Sequence, residues 1–462
     1  MLLARAHAPR LKQRVARWCY SKTDRREQTM LATNFVSALQ GALKIPELRA
    51  RILFVFAMFT VYAIGLHIPV PGVDREQVNR LFQAQELWGL LNMFTGGALR
   101  KLTILALGLN PYITASIIMQ IFSYADPRLR EAMREEAGRR KMQQYTRLLT
   151  IGIALVQAIG FMATFRSLGA LEVSGIQAVQ VIIAWVAGAM FLLWLGEQIT
   201  EKGLGNGVSL MIFASIIASM PYQIEQTVLL VREGTVRFYQ VLFLLAIFLF
   251  TIWGVIFVTM SQRRIPIQHM RRIVGRRQTM GATSYLPIPL NAAGVIPIIF
   301  AVSLQLLPTT LLQMIPYDRA NPGFWGHVEG FVRYLMPGNS LVGSLLYTLL
   351  IFGFTYFYVA VIFNTEEISE NLKRQGAFIP GVRPGKPTAD YLNDVLSRLT
   401  VVGAAFLAFI ALLQYWVPSL TGIRTLGVVG GTSLLILVGV AIDFSRQLQA
   451  QMAMRQYEDF LK

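Results

Sequence analysis

Cysteine occurs once in the 462 residues, at Cys19, which excludes a disulfide framework and a cysteine-built metal centre. Because Cys19 sits in a basic tail, its thiol reads as incidental. Histidine occurs four times, scattered too thinly to supply a metal site or the partner of a buried nucleophile. Charged residues make up 15% of the chain, where soluble domains carry about 25%. With 54% hydrophobic residues, the composition is that of an integral membrane protein.

The long apolar runs also lack ionisable side chains near their centres. Proton- or ion-coupled pumps keep such groups at mid-bilayer despite their cost, so the absence argues against one. Glu197 and Asp443 lie at run ends, where a solvated or paired carboxylate is ordinary, and His67 sits at a rim beside Ile68-Pro69-Val70-Pro71. The polar residues inside the runs are uncharged: Asn110, Thr114, Gln120, Gln157, Asn291 and Gln305. Nucleotide motifs fail as well. Gly203-Leu204-Gly205-Asn206-Gly207 follows no strand, so it is no dinucleotide fingerprint. Gly385-Lys386 lacks a phosphate loop's other positions, since Pro380 and Pro387 stand where glycine and Ser or Thr are required. The chain reads as a non-enzyme with no cofactor and no metal.

What is present is a series of apolar runs: Ile52–Ile68, Ile104–Phe122, Leu148–Phe165, Val179–Leu195 and Val208–Met220, then Val241–Met260, Ala292–Leu307, Leu341–Phe363, Leu399–Val417 and Leu426–Ile442. Most are near the ~20 residues that cross a bilayer, and several, such as Val208–Met220, are short and rely on polar ends inside a bundle. They predict an all-α polytopic protein with ten transmembrane helices in two sets of five. A faint repeat supports two halves. Leu109-Asn110 before Ile117-Ile118 has the spacing of Leu290-Asn291 before Ile298-Ile299, and prolines 111 and 297 follow early.

The net charge of +18 raises the question of nucleic acid, and its distribution answers it. The 43 Lys and Arg residues fall in clusters between runs, and with the amino terminus inside about three quarters lie on one side. An even number of spans then puts both termini in the cytoplasm. Residues 1–29 are basic, lack the apolar core of a cleavable signal, and read as a flexible extension ahead of a working start at Met30. Residues 30–235 and 236–445 form the halves, and 446–462 a cytoplasmic tail. Two inner loops, about 261–285 and 364–398, are denser in arginine than topology requires. Arg263, Arg264, Arg276 and Arg277, together with Arg383 in a Pro-Gly turn, suit an anionic docking partner such as ribosomal RNA or an acidic protein surface.

The stretch from Leu91 to Gln120, LNMFTGGALRKLTILALGLNPYITASIIMQ, is no ordinary span. Paired glycines open it, and Asn110-Pro111 is expected to break its helix, freeing backbone groups that only protein or a water-filled cavity can cover. It therefore reads as a broken helix lining an interior path. Its segments Asn92–Leu99 and Ala106–Ile118 closely resemble the plug and second helix of the SecY family of bacterial protein-conducting channels. WLGEQITEKG at 194–203, NAAGVIP at 291–297, GAFIPG at 376–381 and GGTSLLI at 430–436 resemble it in the same order.

The resemblance runs from about Met30 to Tyr457 and implies an hourglass channel of two pseudo-symmetric halves. Its implied pore ring is Leu109, Ile113, Val208, Ile212, Ile299 and Ile436, an aliphatic gasket of the kind that blocks ions by dewetting. The implied plug, about 87–103, holds Asn92, Met93, Phe94, Thr95, Gly96 and Gly97, and its glycines and modest apolarity fit a segment that leaves its site cheaply. The second and seventh helices would form a lateral gate, with Thr114, Gln157 and Asn291 as its polar cluster joined by interhelical hydrogen bonds. Arg263, Arg264, Arg276, Arg277 and Arg383 match positions that dock the SecA motor or the ribosome. Met260-Ser261 departs from the acidic residue that often precedes this loop, and Pro266 stiffens it. The implied partners are SecE, SecG, SecA, the ribosome, signal sequences with their unfolded polypeptides, and lipids of the cytoplasmic membrane. A multispan secondary transporter of a small solute is the rival from another class. It would need a central ligand-binding or ionisable constellation, which the sequence does not contain.

Overall fold

The apolar runs do become helices, and their ends follow from local chemistry. A computed structural model describes residues 41–461 except 75, 76, 79–91, 93, 94, 127, 128, 130, 132–134, 172, 174, 235, 270–272, 275, 276, 279–282, 313–322 and 422–430. The expected amino-terminal extension lies outside the described residues.

In the first half, α1 (Pro46–Gly65), α2 (Asn110–Ala125), α3 (Glu136–Ser167), α4 (Ile176–Lys202) and α5 (Gly207–Arg232) match the first five runs. In the second, α6 (Phe238–Met260), α7 (Ile296–Leu312), α8 (Gly323–Tyr334), α9 (Leu341–Ile362), α10 (Thr365–Arg374), α11 (Lys386–Thr421) and α12 (Thr432–Leu461) include the other five. Among the described residues, eight helices are long and apolar enough to cross a membrane. The second and seventh runs are shorter helices, α2 with 16 residues and α7 with 17. Helix α8, in the loop between α7 and α9, and the short polar α10 match no apolar run.

The expected break at Asn110-Pro111 is corrected. No helix runs into it: residues 95–109 are turns with a bridge at Thr103, and α2 begins at Asn110 with Pro111 in its first turn. A proline there sacrifices no hydrogen bond, because the first helical N–H groups have no intrahelical acceptor. Pro297 sits in the same way beside the start of α7. These prolines start helices instead of breaking them.

Within the first half α2 packs on α3, and α4 on α3 and α5; within the second, α9 packs on α7 and α11. The halves meet along two seams, α2 against α7 and α5 against α12. Between the seams lies one apolar cluster fed from both halves.

A small sheet was not anticipated. β1 (Gln262–His269) pairs antiparallel with β4 (Thr283–Pro289) and, at Gln268 and His269 alone, with β5 (Ala377–Phe378). A second hairpin, β2 (Ile273–Val274) with β3 (Arg277–Gln278), lies between β1 and β4. The cause is the alternation in β1, which buries Ile265 and Ile267 and leaves Arg264, Pro266 and Gln268 exposed. Ile265 packs with Ile288, Ile379, Leu392 and Leu396, so the sheet is cemented to α11. Pro266 pairs only with Tyr285 of β4, at a point β5 does not reach, where its missing N–H costs nothing.

Candidate functional site

The aliphatic residues singled out from the sequence come from four helices, and the fold gathers them. Leu109 is the residue before α2, and Ile113 lies one turn inside it. Val208 and Ile212 are likewise one turn apart on α5, so each pair shares a face. Leu109, Ile113, Ile212 and Ile436 are buried members of a single cluster, with Val208 and Ile299 packed against it. The cluster therefore joins α2 and α5 of one half to α7 and α12 of the other. The six side chains themselves are aliphatic and offer an ion no polar group.

The segment next to this cluster is held by backbone and side-chain bonds. Ala98 and Leu105 belong to the cluster itself, and Leu99 and Leu102 are fully buried in the adjoining one. The Thr95 hydroxyl donates to Asn92 O at 3.0 Å, and Asn92 Oδ1 accepts from the Arg100 N–H at 2.9 Å. Tyr62 of α1 donates to Thr95 O at 3.3 Å and stands 2.8 Å from Ser215 Oγ of α5. The Trp185 indole donates to Thr103 O at 3.1 Å, and Ile104 N–H to Ile68 O at 3.1 Å. A weakly apolar segment is thus anchored by its few leucines and by carbonyls that need donors.

Glycine is required at one point on it and at one point facing it. Gly96 has φ +68°, and a Cβ there would lie 2.3 Å from the Tyr62 hydroxyl and 3.1 Å from Ser215 Cα. Gly188 of α4 lets Ile104 O approach so closely that a Cβ would meet it at 1.9 Å. The Arg100 guanidinium lies 3.6 Å from the ring centre of Tyr222 on α5. Burial pulls its pKa below the ordinary arginine value, and the charge of Glu225 opposes that shift. Met93 and Phe94 lie outside the described residues. Tyr62, Ser215, Trp185 and Gly188 had no signal in the sequence beyond a polar or small residue inside an apolar run.

A crevice open to the outside, with about 550 Å³ of empty space counting the solvent at its mouth, lies along the α2–α7 seam. Asn110, Ile113, Thr114, Gln157, Ile299 and Ser303 line it, with further apolar residues of α3 and α7. Thr114 and Gln157 therefore share one cleft, whereas Asn291 does not line it. The expected bonds between these polar residues are not seen among the described residues. The Thr114 hydroxyl donates to Asn110 O at 3.0 Å within its own helix, as threonine commonly does, and Asn291 Nδ2 donates to Gly294 O at 3.1 Å. Asn291 Oδ1 is buried without a partner.

The arginines occupy a different region. Arg264 is exposed and Arg263 half-buried on β1, while Arg277 falls in β3 and Arg276 outside the described residues. Arg383 is exposed in a turn fixed from both sides: Thr388 Oγ1 donates to its carbonyl at 2.8 Å, and Ser369 Oγ to Gly385 O at 2.7 Å. Glu197 is paired, accepting two bonds from Arg147 at 2.9 and 2.8 Å. Among the described residues, no group of His, Cys, Asp and Glu is arranged to hold a metal.

Comparison with known proteins bears on this arrangement directly. A family model described as SecY matches residues 103–445. The protein translocase subunit SecY of Thermotoga maritima is 43% identical over 440 residues, covering 92% of this chain and 97% of that one. The same subunit of Pseudomonas aeruginosa is 41% identical over 435 residues, covering 92% and 97%. Among solved structures, one described as a protein conducting channel has a TM-score of 0.63 at 21% identity, covering 87% of this chain and 92% of that chain. Sec61 in a canine ribosome–channel complex has a TM-score of 0.60 at 19% identity, covering 87% and 92%.

Proposed function

The chain belongs to the SecY family and is a protein-conducting channel subunit; from that premise we propose the path that a polypeptide takes through it. The path crosses the constriction formed by Leu109, Ile113, Val208, Ile212, Ile299 and Ile436, with the segment from about 87 to 103 as the plug. One observation carries this reading: residues from four helices and both halves converge on one apolar cluster that also contains Ala98 of that segment and Leu105 just after it. A gasket of aliphatic groups dewets when closed and yields to a passing chain.

The α2–α7 seam is the lateral exit, through which apolar segments reach lipid. Thr114 and Gln157 wet its wall, while the absence of bonds between the gate residues leaves it held mainly by packing. Both termini and the sheet face the cytoplasm, and the membrane is the cytoplasmic membrane, as the distribution of Lys and Arg supports. SecE and SecG are the companion subunits. SecA and the ribosome dock on Arg263, Arg264, Arg276, Arg277 and Arg383, and the exposed Arg264 on the sheet and Arg383 in its braced turn suit anionic surfaces. The chain supplies no catalysis, cofactor or metal.

The test bridges the exit. In a Cys19→Ser background, Thr114→Cys and Ser303→Cys place one thiol on each wall of the crevice. Joining them with a short bismaleimide is expected to stop insertion of membrane proteins, while each single variant treated alike stays active. Full insertion through a bridged protein would refute the exit.

A further inference from the structure

Helix α8 has a composition that neither the pore nor the gate uses. Its sequence, GFWGHVEGFVRY, puts Phe324, Val328 and Phe331 on one face, with Trp325, Val332 and Tyr334 flanking them. None of its residues is buried, and Phe324 and Phe331 are 73% and 63% exposed. Glu329 and Arg333 pair at 3.8 Å on the opposite side. An exposed apolar face of this size on a short helix needs an occupant.

Its surroundings identify that occupant. α8 packs on α7 and leads by a tight turn into α9, whose first two turns present Leu341, Val342 and Leu345 outward. Those residues begin a membrane-spanning helix, so the outward surface of α9 is covered by lipid, and the face of α8 continues it. The turn leaves little freedom: a Cβ on Gly343 would lie 2.2 Å from Met336 O. Phe, Trp and Tyr on one face with charges on the other is the composition of a helix seated at the headgroup level.

A second observation connects this helix to α7. Gln305 of α7, buried within the protein, donates to Leu335 O at 2.8 Å and to Gly343 O at 3.5 Å, at the exit of α8 and the entry of α9. We propose that α8 lies in the lipid headgroup interface at the end of α7 remote from the sheet, and that Gln305 fastens α7 to this anchor. The lipid contact stands apart from the gate assignment, whereas its consequence for gating rests on it.

Each part has its own readout, in proteoliposomes of phosphatidylcholine and phosphatidylglycerol containing the full chain with its companion subunits. For the lipid contact, an environment-sensitive fluorophore is attached at Phe331→Cys in the Cys19→Ser background. Strong quenching by headgroup-labelled and shallow acyl-labelled lipids, with weak quenching by deep labels, is the expected result. Quenching by aqueous iodide alone, or by no quencher, would place the face in water or under protein and overturn the proposal. For the link, the bismaleimide reaction between Thr114→Cys and Ser303→Cys is timed. Gln305→Leu is expected to change that rate several-fold while leaving the lipid quenching of the label intact, and Phe324→Ser with Trp325→Ser to change both. An unaltered rate in all variants would refute the link and leave the lipid contact to stand on the quenching.

Discussion

Replacing Gly96 by valine is expected to open the resting channel. A β-branched residue at φ +68° costs ~1–3 kcal/mol in backbone strain alone. Its Cβ would overlap the Tyr62 hydroxyl at 2.3 Å and press on the Ser215 backbone at 3.1 and 3.2 Å. Those contacts exist only while the segment is seated, so the cost falls on the closed state. A bias of ~3 kcal/mol moves the seated-to-displaced ratio about a hundredfold. Resting halide efflux from proteoliposomes should rise strongly, and precursors without a signal sequence should be exported. Gly97→Ala is the control: that position has φ +87° but no atom within 4 Å of a Cβ, so strain acts there without overlap and the leak should be smaller. Equal leaks from the two variants would show that the Tyr62–Ser215 contact does not hold the segment.

An asparagine in place of Ile212 is expected to act on the same equilibrium from the constriction. Ile212 is buried in the central cluster with Leu109, Ile113 and Ile436. Its loss removes apolar burial and leaves an amide among aliphatic groups, together about 2 to 4 kcal/mol against the closed state. An open, wetted constriction can solvate the amide, so most of this appears as a shift toward opening of about ten- to a hundredfold. Planar-bilayer recordings should show long resting openings. Ile212→Val keeps the surface apolar, costs about 1 kcal/mol, and should remain nearly sealed. A tight Ile212→Asn channel would mean that the cluster is a packed core and the conduction path lies elsewhere.

The sequence made the ten apolar helices legible, because spans announce themselves by length and composition and Leu341–Ile362 coincides with its run almost to the residue. It misled at Pro111, since a proline inside an apolar run looks like a break, and only the backbone distinguishes an interior position from a first turn. The β1–β4 hairpin was visible in principle in the alternation from Arg264 to Gln268. Reading that stretch only as a store of positive charge hid its period of two. Helix α8 was missed for a related reason: with twelve residues it is too short to count as a span.

Of the candidate site, the six aliphatic residues lie in or against one apolar cluster. The partners that seat the neighbouring segment were not legible, because Tyr62, Trp185 and Ser215 lie 33, 82 and more positions away from what they hold. The polar residues expected at a gate show the limit of residue type as a guide. Thr114 satisfies its hydroxyl on its own helix instead of across the seam, so the α2–α7 contact is weaker in hydrogen bonds than its composition implied.

The central claim, that a polypeptide passes through the cluster of Leu109, Ile113, Val208, Ile212, Ile299 and Ile436, is tested most directly by a crosslink from within it. A photoreactive amino acid replaces Ile299, which both packs on the cluster and lines the crevice, and a secretory precursor is stalled in transit. The account predicts capture of the precursor at this position, lost when its signal sequence is deleted and absent from a lipid-facing position such as Leu345. A precursor that crosses the membrane yet never crosslinks to position 299 would contradict it.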